Sequence, residues 1–220
     1  MDLVYAYKKT DTNELRYSIR SAVKHLKFDK IIILGEKPEW LDALEIYVPD
    51  TAATKAENVI NKLRATDDNR VSEDFIYMND DFFLLQDYLE IPYYYNYTIK
   101  DWVEKYPREK GLHYEHLIKL YKEFPQGKYF EIHFPIVYNK KKLKAVIEKY
   151  GLSDTLMTRS YYCNEYKVKA VQTKDYKDTH NLNSPFISTS NIGFLVSQTK
   201  IKARFNLKSK YELNSQTTKY

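Results

Sequence analysis

SEDFIYMNDDFFLL, residues 72–85, is the stretch that decides the fold. Its apolar run, Phe75–Met78, has the length of a buried β-strand. Asn79–Asp81 then places an amide and two carboxylates where that strand should end, and Phe82–Leu85 returns the chain at once to apolar residues. The stretch therefore predicts a buried strand with polar groups concentrated at its carboxyl end.

The acid pair Asp80–Asp81 has two interpretations at this stage. Two adjacent acids between apolar runs are costly to bury unless something compensates their charge. A divalent cation is the usual compensation, since Mg²⁺ binds one or two carboxylates together with substrate phosphates. In an open α/β sheet the carboxyl end of a strand is also where ligands bind. The alternative is a β-turn with solvated acids, because Asn and Asp favour turns.

The residues before this stretch alternate between strand and helix patterns. Strands are predicted at Leu3–Tyr7, Lys30–Leu34 and Leu44–Val48, and amphipathic helices at Asn13–Leu26 and Thr54–Thr66. This alternation favours an α/β fold with a mainly parallel central sheet flanked by helices. Because no glycine-rich phosphate loop is present, any phosphate would have to be held by a metal and basic side chains.

The C-terminal half is less regular. Ile91–Tyr97 is predicted as an edge strand or loop, and Tyr129–Tyr138 as a β-leaning run interrupted by Pro135. Helices are predicted at Gly111–Phe124 and Asn139–Tyr150. Residues 192–196 form a further apolar piece.

Composition sets wide limits on function. A net charge of +5 in 220 residues permits an anionic partner without requiring one. The single cysteine, Cys163, excludes an intrachain disulfide and fits a reducing cytoplasm. The sequence contains neither a signal-peptide pattern nor an apolar run long enough for a transmembrane helix, so any membrane contact would be peripheral.

Several polar residues are candidates for chemistry. His133 lies in an apolar run with Glu131 two residues away, so it fits a general base or a packed, hydrogen-bonded histidine. Arg16 and Arg20 share one helix face and fit either a solvated basic face or a pair of phosphate-binding forks. Arg159 and Asn164 belong to a compact polar cluster that fits either a ligand site or a helix end.

Two blocks of the sequence resemble a known family. ELRYSIRSAVKHLKFDKIIILGEKPEWL (Glu14–Leu41) and FIYMNDDFFL (Phe75–Leu84) resemble the Stealth family of sugar-phosphate transferases, which act in capsular polysaccharide synthesis. His133–Pro135 and Phe205–Glu212 resemble its histidine region and its final short motif more weakly. Small proteins of this kind resemble glycosyltransferases of the nucleotide-diphospho-sugar (GT-A-like) fold, which share the metal-binding acid pair.

The resemblance implies a role for each candidate. Asp80 and Asp81 would bind Mg²⁺ or Mn²⁺ and the donor diphosphate, and His133 would deprotonate the acceptor hydroxyl. Asp81 and Arg159 would join His133 in the catalytic set, and Arg159 and Asn164 would hold an acceptor or donor phosphate. The residues implied near the donor or its phosphates are Arg16, Arg20, Asn58, Arg64 and Asn164.

We therefore expect one cytoplasmic transferase domain over residues 1–220, with a nucleotide-sugar-binding half (1–90) and an acceptor-side half (91–220). The favoured activity is glycosyl transfer from a nucleotide-sugar donor to a glycan, lipid-linked or modified-nucleic-acid acceptor. Transfer of sugar-1-phosphate is the first alternative. A non-catalytic module that binds a nucleotide, a glycan or DNA is the second.

Overall fold

The computed structural model of the chain describes residues 1–10, 12–105, 111–177, 182–189 and 199–213. Its strands are β1 (Asp2–Ala6), β2 (Ile31–Leu34), β3 (Leu44–Ile46), β4 (Asp74–Met78), β5 (Phe82–Leu84), β6 (Tyr93–Tyr95), β7 (Tyr97–Thr98), β8 (Lys128–Tyr129), β9 (Ile136–Asn139), β10 (Ala170–Gln172) and β11 (Phe186–Ser188). Its helices are α1 (Glu14–His25), α2 (Lys55–Arg64), α3 (Ile99–Lys105), α4 (Leu112–Glu123), α5 (Lys140–Lys149) and α6 (Thr158–Glu165).

A five-stranded sheet organises the molecule. Its strand order is β3-β2-β1-β4-β9, and all neighbours pair in parallel except β9, which runs antiparallel to β4. β2 is buried along its whole length, as expected of a strand covered on both faces. The predicted α/β fold with a mainly parallel sheet is confirmed.

The two faces of the sheet carry separate apolar cores. On β1, Val4 packs toward α2 and α5, whereas Leu3 and Tyr5 pack toward α1. Alternate residues of a strand point to opposite faces, so both faces of the central strands are covered by helices. β5 then crosses onto the α1 side and pairs antiparallel with β11.

The run Tyr129–Tyr138 differs from its prediction, because only its two ends pair as strands. Between them the chain folds back on itself: Phe130 accepts from the Ile132 amide at 2.7 Å, and Ile132 accepts from the Phe134 amide at 2.8 Å. Pro135 has no N–H to give to a ladder. The segment between β8 and β9 is therefore a loop, and it carries Glu131 and His133 into the interior.

The other predicted segments fall as follows. The helix predictions at Asn13–Leu26, Thr54–Thr66 and Asn139–Tyr150 correspond to α1, α2 and α5. Arg159 and Asn164 both lie within α6. The apolar piece at 192–196 lies outside the described residues. In the described part of the chain, no helix combines the length and the apolar character needed to cross a bilayer.

Candidate active site

The candidate site lies at the carboxyl edge of the sheet. Because Tyr5 on β1 is paired with Met78 on β4, Lys8–Thr10 and Asn79–Asp81 leave the sheet at the same edge. They open into a cavity of about 740 Å³, here called the acid cavity. Its lining residues are Ala6, Lys8, Thr10, Glu14, Asp50, Ala52, Ala53, Thr54, Lys55, Asn58, Val59, Lys62, Tyr77, Asn79, Asp80, Asp81, His133, Lys177 and Thr189.

The acid pair sits in a short turn between β4 and β5. The amide of Phe82 donates to the Asn79 carbonyl at 3.3 Å, and the Thr189 amide donates to the Asp81 carbonyl at 3.2 Å. Both acids line the acid cavity and are partly buried. The turn expected from Asn and Asp is therefore present, and its carboxylates face an interior cavity.

The charges of these acids are poorly compensated by the protein. Burial, followed by the charges of Asp81 and Glu14, raises the pKa of Asp80 to about 7. Burial also raises the pKa of Asp81, although His133, Lys55 and Lys177 oppose the shift. The pKa of Glu14 is raised by burial and then by Asp81. Three carboxyl groups thus share one desolvated region, which favours binding of a cation.

His133 is held at the cavity wall by Asp175. Nδ1 of His133 lies 2.7 Å from Oδ2 of Asp175, and the His133 backbone N–H donates to Oδ1 at 3.3 Å. The carboxylate therefore fixes the Nδ1–H tautomer, which makes Nε2 the proton acceptor. The imidazole and the ring of Phe82 pack in a T-shaped arrangement, with centroids 5.9 Å apart.

Arg159 lies behind His133. It is buried and donates through Nη1 to the carbonyls of Ile132 and Phe134, the two residues that flank His133. Its guanidinium also packs over Phe82, 5.4 Å from the ring centroid. Arg159 thus holds the loop that presents His133.

The N-terminus of α2 forms the facing wall. Thr54 caps the helix, because its Oγ1 accepts from the Glu57 amide at 3.0 Å. Asn58 shapes the preceding loop, since its Oδ1 accepts from the Ala52 amide and its Nδ2 donates to the carbonyls of Ala52 and Thr54. Lys55 extends from the first turn toward the acids, where it lowers the pKa of Asp81. A helix N-terminus with an adjacent lysine favours an anionic ligand.

Two of the predicted donor residues, Arg16 and Arg20, do not line the acid cavity. Arg20 is buried and binds Glu212 through two parallel hydrogen bonds of 2.7 and 2.8 Å, while Nη1 donates to the Phe205 carbonyl. Arg16 lies 3.4 Å from Glu212 and stacks over Trp40 at 4.3 Å. Their guanidinium groups hold the 205–212 segment against α1.

Arg64 and Asn164 also lie away from the acid cavity. Arg64, at the last position of α2, donates to the Leu152 carbonyl at 3.0 Å. Asn164 accepts from the Lys128 amide and donates to the carbonyls of Lys128 and Ser160. Of the nine predicted side chains, the structure brings Asn58, Asp80, Asp81 and His133 into the acid cavity, with Arg159 behind them.

Sequence reasoning missed further charged residues at the site, four of which act directly on the acids or on His133. Glu14 begins α1 within the Glu14–Leu41 block, and Lys55 follows the Thr54 cap, so a helix-start signal was available for both. Asp175 and Lys177 lie far along the chain from the acid pair in a region without a regular pattern. Only the tertiary structure brings them to the cavity.

Solved structures show what this architecture is similar to. The galactosyltransferase LgtC, in complex with donor and acceptor sugar analogues, matches over 96% of this chain and 98% of its own, at 10% identity and a TM-score of 0.51. The chain therefore has the GT-A-like fold of glycosyltransferases.

Two other matches have lower scores. The apo form of the glycosyltransferase GlyE from Streptococcus pneumoniae TIGR4 gives a TM-score of 0.43 at 10% identity, over 98% of this chain and 65% of its own. Apo mouse xyloside xylosyltransferase 1 gives 0.40 at 9% identity, over 96% of each chain. We base the fold on LgtC alone, because both of these scores lie below 0.5. No family model and no curated protein matches the sequence, and the Stealth resemblance stays a prediction.

Proposed function

We propose that the chain is a metal-dependent glycosyltransferase that moves a sugar from a nucleotide-diphosphate donor to an acceptor hydroxyl. The observation that carries this proposal is the pair Asp80–Asp81 at the carboxyl end of β4, facing a cavity of about 740 Å³. Its volume lies within the range of small-molecule sites. The GT-A-like fold supports the same activity.

The carboxyl groups fit a hard divalent cation, Mg²⁺ or Mn²⁺. Asp80 and Asp81 would hold it, with the negative field of Glu14 behind them. The described residues contain no cluster of three His, Cys, Asp or Glu side chains arranged as metal ligands. Two carboxylates completed by substrate phosphates and water suffice for Mg²⁺. The ion would stabilise the negative charge on the departing diphosphate.

The basic groups of the acid cavity fit the donor phosphates. Lys55, Lys177 and the N-terminus of α2 line the cavity, and both lysines lower the pKa of Asp81. Asn58 would orient the donor indirectly, because it fixes the 52–54 loop. The half of the chain before residue 90 supplies most of this surface, so we assign it to the donor and residues 91–220 to the acceptor.

His133 is placed to accept the proton of the attacking hydroxyl. During transfer the bond between the anomeric carbon and the phosphate oxygen breaks, and a bond from that carbon to the acceptor oxygen forms. The hydroxyl proton passes to Nε2 of His133, and the nucleoside diphosphate leaves. Asp175 stabilises the imidazolium through Nδ1–H. Arg159 maintains the loop that carries His133.

The test is a panel of nucleotide sugars with Mn²⁺ or Mg²⁺, with identification of the released nucleotide. Nucleoside diphosphate release that requires the metal and is lost in Asp81→Asn supports glycosyl transfer. The matched control is Asp42→Asn, which makes the same chemical change at an exposed position. Release of nucleoside monophosphate would instead assign sugar-1-phosphate transfer. If the wild type turns over no donor but still binds a nucleotide, a glycan or DNA, the chain is a non-catalytic binding module.

A further inference from the structure

A second cavity adjoins the acid cavity on the side of His133. It encloses about 360 Å³ and shares a wall with the acid cavity, formed by Lys55, Val59, Tyr77, Asn79, His133 and Lys177. Beyond this wall it is lined by His113, Tyr129, Glu131, Tyr138, Thr155 and Thr158, among others, and we call it the Tyr138 chamber.

The hydroxyl of Tyr138 is the most informative group in the chamber. Tyr138 is 0% exposed, and among the described residues its hydroxyl has no hydrogen-bond partner. Burial raises its pKa well above the ordinary value, with Arg159 and Glu131 as the nearest charged influences. A buried hydroxyl without a partner costs stability, so such groups normally meet a ligand or an ordered water.

The other polar groups of the chamber are held in fixed orientations. Oε1 of Glu131 accepts from the Ser160 amide at 2.8 Å, and burial raises the pKa of this carboxyl to about 7. The Tyr129 hydroxyl lies 3.0 Å from Nε2 of His113. Oγ1 of Thr155 accepts from the Met157 amide at 3.1 Å. Carboxyl and hydroxyl groups oriented in this way suit a ligand with several hydroxyls.

The remaining wall is aromatic and its charges are balanced. The rings of Tyr77 and Phe82 lie against the Arg159 guanidinium, and Tyr129 is stacked on Trp102 at 5.1 Å. A sugar ring combines apolar C–H faces with a polar hydroxyl edge, so it matches both kinds of wall. Beyond the shared wall Glu131 and Arg159 offset each other, whereas Lys55 and Lys177 lie on that wall, where the donor phosphates would bind.

We propose that the Tyr138 chamber binds the terminal sugar of the acceptor, a sugar unit with free hydroxyls, and presents it to His133. This inference rests on the proposed function, because it takes the acid cavity to hold the donor. It selects a glycan among the acceptor classes considered above. The hydroxyls of Tyr138 and Thr158 and the carboxyl of Glu131 would bind the sugar edge.

Ligand-observed NMR binding with uncharged methyl glycosides tests this assignment without any turnover. The protein is the full chain, as wild type, Tyr138→Phe and Tyr166→Phe. Tyr166→Phe is the matched control, since its hydroxyl donates to the Lys142 carbonyl outside the chamber. Tyr138→Phe removes only an unpaired hydroxyl, so its thermal unfolding midpoint should equal or exceed that of the wild type.

We expect at least one glycoside to bind the wild type, with a Kd about three- to tenfold higher in Tyr138→Phe and unchanged in Tyr166→Phe. Binding of a nucleoside diphosphate with Mn²⁺, measured in the same samples, should be equal in all three proteins. Failure of the wild type to bind the nucleoside diphosphate would count against the proposed donor site. Diphosphate binding without glycoside binding, or glycoside binding that Tyr138→Phe leaves unchanged, would overturn the chamber assignment. Binding of a modified-base oligonucleotide in place of glycosides would overturn it as well.

Discussion

Two charged regions of the molecule have similar sequence signals and opposite environments. Asp80–Asp81 and Arg16–Arg20 each place two like charges close together in the sequence, and each is a candidate for phosphate or metal binding. In the structure Arg20 is matched by the buried carboxylate of Glu212, whereas the acids share a cavity with Glu14. The matched charge of Arg20 holds the fold together, and the unmatched charge of the acids is where we propose that the metal and the diphosphate bind.

The largest effect separating the two regions should be on turnover. Asp81→Asn should lower kcat by roughly 10³-fold or more, because several kcal/mol of charge stabilisation at the departing diphosphate would be lost with the cation. Steady-state assays with the donor found in the panel measure this effect. Asp42→Asn should keep wild-type kcat, and an Asp81→Asn enzyme with near-normal kcat would remove the acid pair from the mechanism.

The arginine region should respond in the opposite way. Glu212→Ala leaves Arg20 buried without its carboxylate, and breaking a buried ion pair typically costs about 3–5 kcal/mol. Urea denaturation should show this loss in the free energy of unfolding. Turnover per folded molecule should stay within about twofold of the wild type. If the Glu212→Ala protein is stable but fails to bind nucleoside diphosphate, Arg16 and Arg20 belong to the donor site, as the sequence predicted.

A substitution in the His133–Asp175 pair should lower kcat less than a substitution in the acid pair does. Asp175→Asn should reduce kcat by roughly 10- to 100-fold, since the imidazolium loses its carboxylate partner and its fixed tautomer. The pH dependence of kcat should also change, which a purely structural role for Asp175 would not produce. Asp29→Asn, at an exposed acid paired with the N-terminal amine, is the control and should leave the pH profile unchanged.

The smallest expected effect is a gain in stability. The pKa of Asp80 in the folded, metal-free protein is about 7, above its ordinary value of 3.8. The folded state therefore binds more protons between these values, so the free energy of unfolding falls as pH rises through this window and is level above it. At pH 8, Asp80→Asn should unfold at a higher temperature than the wild type. Its free energy of unfolding should be larger by roughly 1–3 kcal/mol. At pH 3 the two should coincide, and equal stability at pH 8 would show that Asp80 carries no uncompensated charge.

The sequence predicted the framework because its signals are local. Period-two and period-3.6 patterns locate β1, β2, β4, α1 and α2, and their alternation determines the mainly parallel sheet. The position of Asp80–Asp81 at the end of β4 then follows from strand direction. The segment after Tyr129 was predicted only as a β-leaning run interrupted by Pro135. Its loop is also held by hydrogen bonds from Arg159, which lies far along the chain and gives no local signal.

The partners of these charged residues could not be predicted from the sequence, for a related reason. A pair of arginines on one helix face looks the same whether it meets a phosphate or a carboxylate. Glu212 reaches Arg20 across 192 positions, and Asp175 reaches His133 across 42. Such contacts have no periodic signature, so only the folded structure separates a structural charge from an available one.

Isothermal titration calorimetry of Mn²⁺ into the wild type with a nucleoside diphosphate present tests the central claim most directly. The matched samples are Asp80→Asn with Asp81→Asn, the Asp42→Asn control, and Glu212→Gln. The account predicts one Mn²⁺ site per chain that disappears in the double acid variant and persists in the control and in the folded fraction of Glu212→Gln. Equal Mn²⁺ binding by the double acid variant, or loss of binding in Glu212→Gln alone, would contradict it.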